Sequence, residues 1–499
     1  MDYLIELVGI VNKQSIRNVD LMTDYTKHSK TNALYEGVHK GDFKTDRQAI
    51  EALYPEQGDS GKVAYRKLKE RLIEQLVNTV LLIGTSSDLN KKQRNYFNAQ
   101  KYSAAARLIR LRMGYKLSEM LAKKNIKLAL KTEQTSIVVD MYDLLRDLMS
   151  RNGDVKGFEK YDLLFRQYNS LLQAEHQAKG YLSHIMLLSN RSVKLQKLIE
   201  VSRGYEEELR KVELESPSST FIMRSHYVYV LRCEYENDLI GLQDECRKAV
   251  DLLNARKFVN DTYLFIFLFK NSLIYRGLQD FEGGKEALEL ATKYVGADGS
   301  VNWFMIKKNY VSLCLFCNKI QEGFSLYLST VDNERLKKLP EGDQEYWSIY
   351  RYYFAWFRGL ELLKVGQEEE RLLVFSMKNL LKQKPIQSKD REGYNAIIMV
   401  LQFLFLIQQK NNDALIDRQE AVTIHVQRHF RQKELYRTFY FMKLLLLLPA
   451  NNFNKIAVTR KAKVYLDKLK ARSISKSSSS VEVEIVPYED LWEIILDLL

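Results

Sequence analysis

Proline is scarce in this 499-residue chain: only Pro55, Pro217, Pro340, Pro385, Pro449 and Pro487 occur. Proline lacks an amide donor and clashes with the preceding turn, so long proline-free intervals are what extended helical runs require. Glycine is also low, at 22 residues, too few for the turns of an all-β sandwich this long. The four cysteines, Cys233, Cys246, Cys314 and Cys317, are too sparse for a disulfide-stapled secreted scaffold. The longest apolar stretches are Ala396–Ile407, interrupted by Gln402, and Leu444–Leu448. Both fall short of the roughly 20 residues that cross a bilayer, so they read as buried helices and no transmembrane segment is expected. Met1–Val11 carries Asp2 and Glu6 and lacks the cationic start of a signal peptide. Together these absences point to a cytoplasmic protein.

Catalytic signatures are missing too. There is no Gly-rich phosphate loop, no Gly-x-Ser-x-Gly elbow and no kinase motif set. Cys314-Leu-Phe-Cys317 has no further ligands at zinc spacing and lies in an apolar helical stretch, where i and i+3 share a packed face. His425-Val-Gln-Arg-His429 has the i, i+4 spacing of a metal pair. It lacks the glutamate of His-Glu-x-x-His, and Arg428 and Arg431 repel a cation. The sequence therefore predicts no catalytic residue, no metal site and no cofactor.

What is present is a globular mixture, 46% hydrophobic and 28% charged. Residues 1–90 read as a small helical N-terminal domain. Tyr3–Val11, Asn18–Thr26 and Asn32–His39 are short helical candidates. Thr45-Asp46 is placed to cap a helix that stops at Pro55. A polar turn, Glu56 to Gly61, precedes an amphipathic stripe at Val63, Leu68, Leu72, Leu76 and Val80. From Lys91 to Arg472 helices come in pairs, with breaks near Gly114, Gly153, Asn237-Asp238, Gln279-Asp280, Asn318-Lys319, Gly366 and Asn411-Asn412. Intervals of about 40 to 47 residues between the later breaks mark a helix-hairpin repeat. Residues 473–487 read as a Ser-rich linker, and 488–499 as an acidic amphipathic helix that either caps the array or fills a groove.

Phe265–Tyr294 carries small and large residues in a telling order: Ser272, Tyr275, Phe281, Gly284, Leu288 and Ala291. Here the chain resembles the tetratricopeptide repeat (TPR) family. The stretches with Ile320, Gly323 and Tyr327, and with Leu239, Leu242, Cys246 and Ala249, match more weakly. The layout is also similar to bacterial proteins with a small helical head before a TPR-like array, a likeness that implies no activity. The expected fold is thus all-α, a TPR-like antiparallel helix-hairpin solenoid. The resemblance implies a concave face that binds another protein or peptide.

Two features are candidates for binding. Between Tyr346 and Arg358 aromatic residues crowd one helix. Tyr346, Tyr350 and Tyr353 share a stripe that, with Arg351 and Arg358, is expected to face a partner in the groove; simple packing between repeats is the plainer alternative. The second feature is charge. The net charge is +13, and residues 60–131 hold 17 Lys/Arg against 4 Asp/Glu, so the remainder is near neutral. Arg107, Arg110, Arg112, Lys116, Lys123 and Lys127 form a candidate anion-binding face for an acidic surface, a nucleic-acid backbone or an anionic membrane, set against an ordinary solvated helix surface. The leading expectation is a non-catalytic adaptor. The alternative is a nucleic-acid-binding regulator that uses the basic region with the repeats as sensor.

Overall fold

The computed structural model describes residues 1–13, 29–55, 58–83, 91–191, 193–256, 260–296, 298–382, 392–430, 435–471 and 484–499. The expected helix Asn18–Thr26, most of the 473–487 linker, Arg431 and Arg472 lie outside them. The described residues are helical, with no strand among them, and none of their helices is long and apolar enough to cross a membrane. The chain forms two compact units, Met1–Leu172 and Gln173–Leu499.

In the first unit, α1 (Asp2–Lys13), α2 (Lys30–Lys40), α3 (Asp46–Leu53) and α4 (Gly58–Ile83) enclose one core around Leu4, Val8, Leu34, Ala49 and Leu72. Thr45 and Gln48 form the reciprocal cap that starts α3: Gln48 N donates to Thr45 Oγ1 at 3.3 Å and Thr45 N to Gln48 Oε1 at 3.0 Å. Helix α4 starts at Gly58, inside the stretch expected to be a turn. A second core, around Ala106, Ile126, Met141 and Leu145, is built by α5 (Lys91–Leu111), α6 (Tyr115–Lys131) and α7 (Thr135–Arg151). Tyr161 and Phe165 of α8 (Val155–Asn190) pack against it.

The second unit continues with α9 (Leu195–Arg210), α10 (Ser219–Glu236), α11 (Leu239–Asn254), α12 (Asp261–Leu278), α13 (Phe281–Thr292), α14 (Val301–Phe316), α15 (Ile320–Val331) and α16 (Glu341–Gly359). Consecutive helices pack on each other, and α12 also meets α14 directly. One turn recurs between partners. Asn237, Gln279 and Asn318 adopt left-handed backbone. The next residue donates back across the turn: Asp238 N to Cys233 O at 2.8 Å, Asp280 N to Tyr275 O at 3.0 Å, Lys319 N to Cys314 O at 2.7 Å. Asp238 and Asp280 then cap the following helix by accepting from Gly241 N and Gly283 N. At Asn237 and Gln279 a C-cap thus leads directly into a side-chain N-cap, whereas Lys319 provides none.

Small residues set the spacing of these pairs. A Cβ on Gly284 of α13 would lie 2.6 Å from Leu313 Cδ2 of α14, and one on Gly323 of α15 would lie 2.9 Å from Cys314 Cβ. At Gly323 the contact is with a Cβ and forces α14 and α15 apart, while at Gly284 the Leu313 side chain must give way. Cys314 is buried in this packing, and burial pushes its thiol up and that of Cys317 up to about 11. Both stay protonated at neutral pH and act as small apolar fillers.

After α16 the pairing becomes irregular. The left-handed turn falls at Glu361, not at Gly366. The expected partner helix is broken into α17 (Gln367–Glu370), a 3-10 turn at Arg371–Leu373 and α18 (Met377–Lys382). Regular pairs resume with α19 (Glu392–Gln408) and α20 (Asn412–His429), then α21 (Tyr436–Ala450) and α22 (Lys455–Lys470). Every residue from Ala396 to Ile407 is buried, because α16, α18, α20, α21 and the last helix, α23 (Tyr488–Leu498), all pack on α19. An open solenoid leaves a helix like α19 with one face in water; here the chain's end covers it.

Ion pairs stitch α9, α10 and α11 together. Arg210 reaches Glu206 at 2.7 Å and Glu245 at 2.8 Å, Arg232 reaches Glu206 at 2.7 Å, and His226 Nδ1 lies 3.0 Å from Glu245. Burial works against the Glu245 charge, but hydrogen bonds from His226 and Arg210 outweigh it and hold the carboxyl down at about 2. A carboxyl depressed on folding contributes stability above its unfolded value and loses it as pH falls through the folded one. Glu245 is expected to contribute on the order of 3 kcal/mol above about pH 5, most of it lost by about pH 2. Glu245→Gln should flatten the acid limb of thermal unfolding measured across that window; an unchanged limb would assign acid sensitivity elsewhere.

Candidate partner-binding surfaces

Counting back from each left-handed turn residue aligns the first helices of the second unit. Ten residues before the turns at Asn237, Gln279, Asn318 and Glu361 stand Tyr227, Phe269, Lys308 and Arg351; the next positions hold Val228, Lys270, Asn309 and Tyr352. Of these eight only Val228 is fully buried. Side-chain contacts link successive first helices. Lys270 Nζ lies 2.6 Å from Glu234 Oε2, Arg276 donates to Ser312 Oγ at 3.1 Å, and the Tyr350 hydroxyl donates to Lys308 O at 3.1 Å. Along this row of positions Lys308, Arg351 and the Phe269 and Tyr352 rings are partly buried, and Lys270, its side chain 16% exposed, is already paired with Glu234.

The five groove residues read from sequence divide on this frame. Arg351 lies on the row, its guanidinium 5.5 Å from the Tyr352 ring. Arg358 is exposed at the end of α16 and pairs with Glu370. Tyr346 is half-buried beneath Lys308 Nζ, 3.8 Å from the ring centroid. Tyr350 and Tyr353, at 0% and 1% exposure, do not line a groove; they are core residues. The physical reason is that α16 is packed by α15 on one side and α19 on the other, so its tyrosine stripe faces protein, not solvent. Tyr352, unread in sequence, is the half-exposed ring, edge-on to Phe375 at 4.8 Å. Its signal is its distance from the turn at Glu361.

The basic hairpin α5–α6 is partly neutralised from within. Arg107 Nε donates to Asp140 Oδ1 at 2.6 Å, and Arg110 pairs with Asp147. Both acids belong to α7, which carries Asp140, Asp143 and Asp147 toward α5. Lys123 pairs with Glu119 one turn back on α6 at 2.6 Å. Arg112, Lys116 and Lys127 are exposed and join no ion pair among the described residues. Of the six expected anion ligands, these three are the open ones.

The C-terminal segment is held by a buried arginine. Arg437 of α21, 4% exposed, donates to both Glu484 carboxylate oxygens at 2.8 Å, to Glu489 Oε2 at 2.6 Å and to Leu469 O at 2.9 Å. Glu484 Oε1 also accepts from Tyr488 N at 2.8 Å. The Tyr488 ring stacks on Phe441, centroids 4.2 Å apart and 8° from parallel. Burial raises the Glu484 carboxyl, with the Arg437 guanidinium opposing. No sequence signal pairs Arg437 with a carboxylate 47 positions away.

His425 and His429 lie with ring centroids 4.5 Å apart. No group of three or more His, Cys, Asp or Glu is placed to hold a metal ion among the described residues. Comparison with protein families, with curated proteins and with solved structures finds no match to this chain.

Proposed function

We propose that this chain is a non-catalytic, TPR-like adaptor that holds an acidic protein segment along the first helices of successive hairpins in its second unit. The observation that carries the reading is the aligned row Phe269–Lys270, Lys308–Asn309 and Arg351–Tyr352, partly buried at equivalent positions of α12, α14 and α16, with Lys270 held by Glu234. An extended segment crossing these helices meets the Lys308 and Arg351 cations beside the Phe269 and Tyr352 rings. That pairing suits carboxylates interspersed with apolar side chains. Four cysteines without a disulfide suit the reducing cytoplasm in which such an adaptor would act.

The test is selection of peptides from a displayed random library by the full chain. Selected peptides should be rich in Asp and Glu. Lys308→Glu combined with Arg351→Glu should weaken them about tenfold or more, while the buried Tyr353→Phe should leave them unchanged. Selection of nothing, or equal binding by the double variant, would refute the proposal.

A further inference from the structure

One end of the first unit exposes apolar side chains that no packing explains. The turn between α5 and α6 carries Leu111 at 72% exposure and Met113 at 77%, with Leu108 at 61% just before it and Leu117 at 48% just after. Met113 has positive φ, 64°, a conformation that costs a non-glycine side chain free energy. The neighbouring tip belongs to the same end. Arg110 pairs with Asp147, and the Arg151 guanidinium lies 5.8 Å from the Tyr115 ring centroid. The end of α7 is thereby tied to the end of α5 and the start of α6. Helix α8 starts four residues beyond Arg151, with Val155 at 66% and Phe158 at 38% exposure. Two adjacent helix tips thus project apolar groups into water.

The charges around the α5–α6 tip are nearly all positive, while the α7–α8 tip mixes Arg151, Lys156 and Lys160 with Asp154 and Glu159. Residues 91–131 hold 12 Lys/Arg and one acid, Glu119. Arg112 stands within the turn itself, and the exposed side of α6 continues as Lys116, Met120, Lys124, Lys127 and Lys131. We infer that this end of the first unit is a membrane-surface contact, taking an anionic phospholipid bilayer as its partner. The inference is independent of the peptide-binding role proposed for the second unit. Lipid headgroups supply the negative charge that complements the lysines. The acyl boundary just beneath accepts Leu111, Met113 and Leu117, while the long lysine stems let the ammonium groups stay at headgroup level. A nucleic-acid backbone complements the charge equally but leaves the apolar tips in water. It also draws most on bidentate arginine, and Arg107 and Arg110 are already engaged by Asp140 and Asp147. A protruding pair of tips suits a flat, deformable surface, not a partner helix that needs a groove.

The experiment is co-sedimentation of the full chain with vesicles of phosphatidylcholine alone and of phosphatidylcholine mixed with phosphatidylserine, with duplex DNA and single-stranded RNA measured in parallel. Binding should require phosphatidylserine and weaken as salt rises. Lys116→Glu, Lys124→Glu and Lys127→Glu together should reduce it about a hundredfold. Leu111→Ser, Met113→Ser and Leu117→Ser together should reduce it about tenfold while leaving the charge intact. These positions are all exposed, and an unchanged circular dichroism spectrum and melting temperature will show that both variants fold. Absence of vesicle binding overturns the inference. So does vesicle binding that the serine variant retains in full, since the tips would then not enter the bilayer. Tighter binding to nucleic acid than to vesicles, indifferent to the serine substitutions, overturns it in favour of a polyanion site.

Discussion

Arg437→Met is expected to destabilise the second unit by about 3–5 kcal/mol, the cost of leaving a buried carboxylate without its partner. The guanidinium serves Glu484, Glu489 and Leu469 O at once, and no other cation reaches Glu484 among the described residues. Methionine fills similar space but offers no donor, so Glu484 must either take up a proton or drag residues 484–499 into water. The melting temperature should fall by about 5–10 °C, and limited proteolysis should begin to cut within residues 484–499. Adding Glu484→Gln should restore much of the loss, because the orphaned charge rather than the lost ion pair dominates. A single variant that melts within about a degree of the parent would show that the segment is anchored by its apolar residues alone.

The helical hairpins were legible because their signals are local. Asn237-Asp238 and Gln279-Asp280 place a residue tolerant of left-handed backbone, or one that adopts it here, directly before an N-cap aspartate. That juxtaposition can be read without knowing what packs where. The turns at Glu133 and Asn452 carry the same geometry but offer no glycine or Asx-aspartate doublet to mark them. The broken partner of α16 escapes the sequence for a similar reason. Gly366 is the obvious punctuation, yet the chain turns at Glu361, where Leu362 N donates to Phe357 O at 3.0 Å.

The candidate surfaces were half legible, and the line between the halves is contact order. That α5 and α6 are basic is visible in composition. That α7 brings Asp140, Asp143 and Asp147 to Arg107 and Arg110 depends on pairing at separations of 33 to 37 residues, and composition counts cannot show which charges meet. The aromatic stripe of α16 failed in the same way. Helical periodicity places Tyr346, Tyr350 and Tyr353 on one side, but only the arrival of α19 decides that this side is interior. Periodicity assigns residues to a stripe; what covers the stripe is set by distant chain.

Deleting residues 484–499 is expected to have the largest effect on the second unit, and its character should differ from that of any point substitution. Tyr488, Leu491, Trp492 and Ile495 are buried at 0–2% exposure, each worth about 1.5–3 kcal/mol of burial, and they cover α19 and α21. Helix α19 is apolar all round, so it has no polar face to present to water. The truncated chain should bind a hydrophobic dye, lose cooperativity in its unfolding transition and associate at micromolar concentration. The first unit has separate cores, so a tryptophan-independent probe there, such as hydrogen exchange in α7, should remain protected. A synthetic peptide of residues 484–499 added in trans should restore cooperativity, since the Arg437 site and the Phe441 surface that receive it belong to the rest of the chain. Full cooperativity without the segment would mean that α19 is shielded by its other neighbours, and the terminal helix would then be an accessory to the fold and not its closing element.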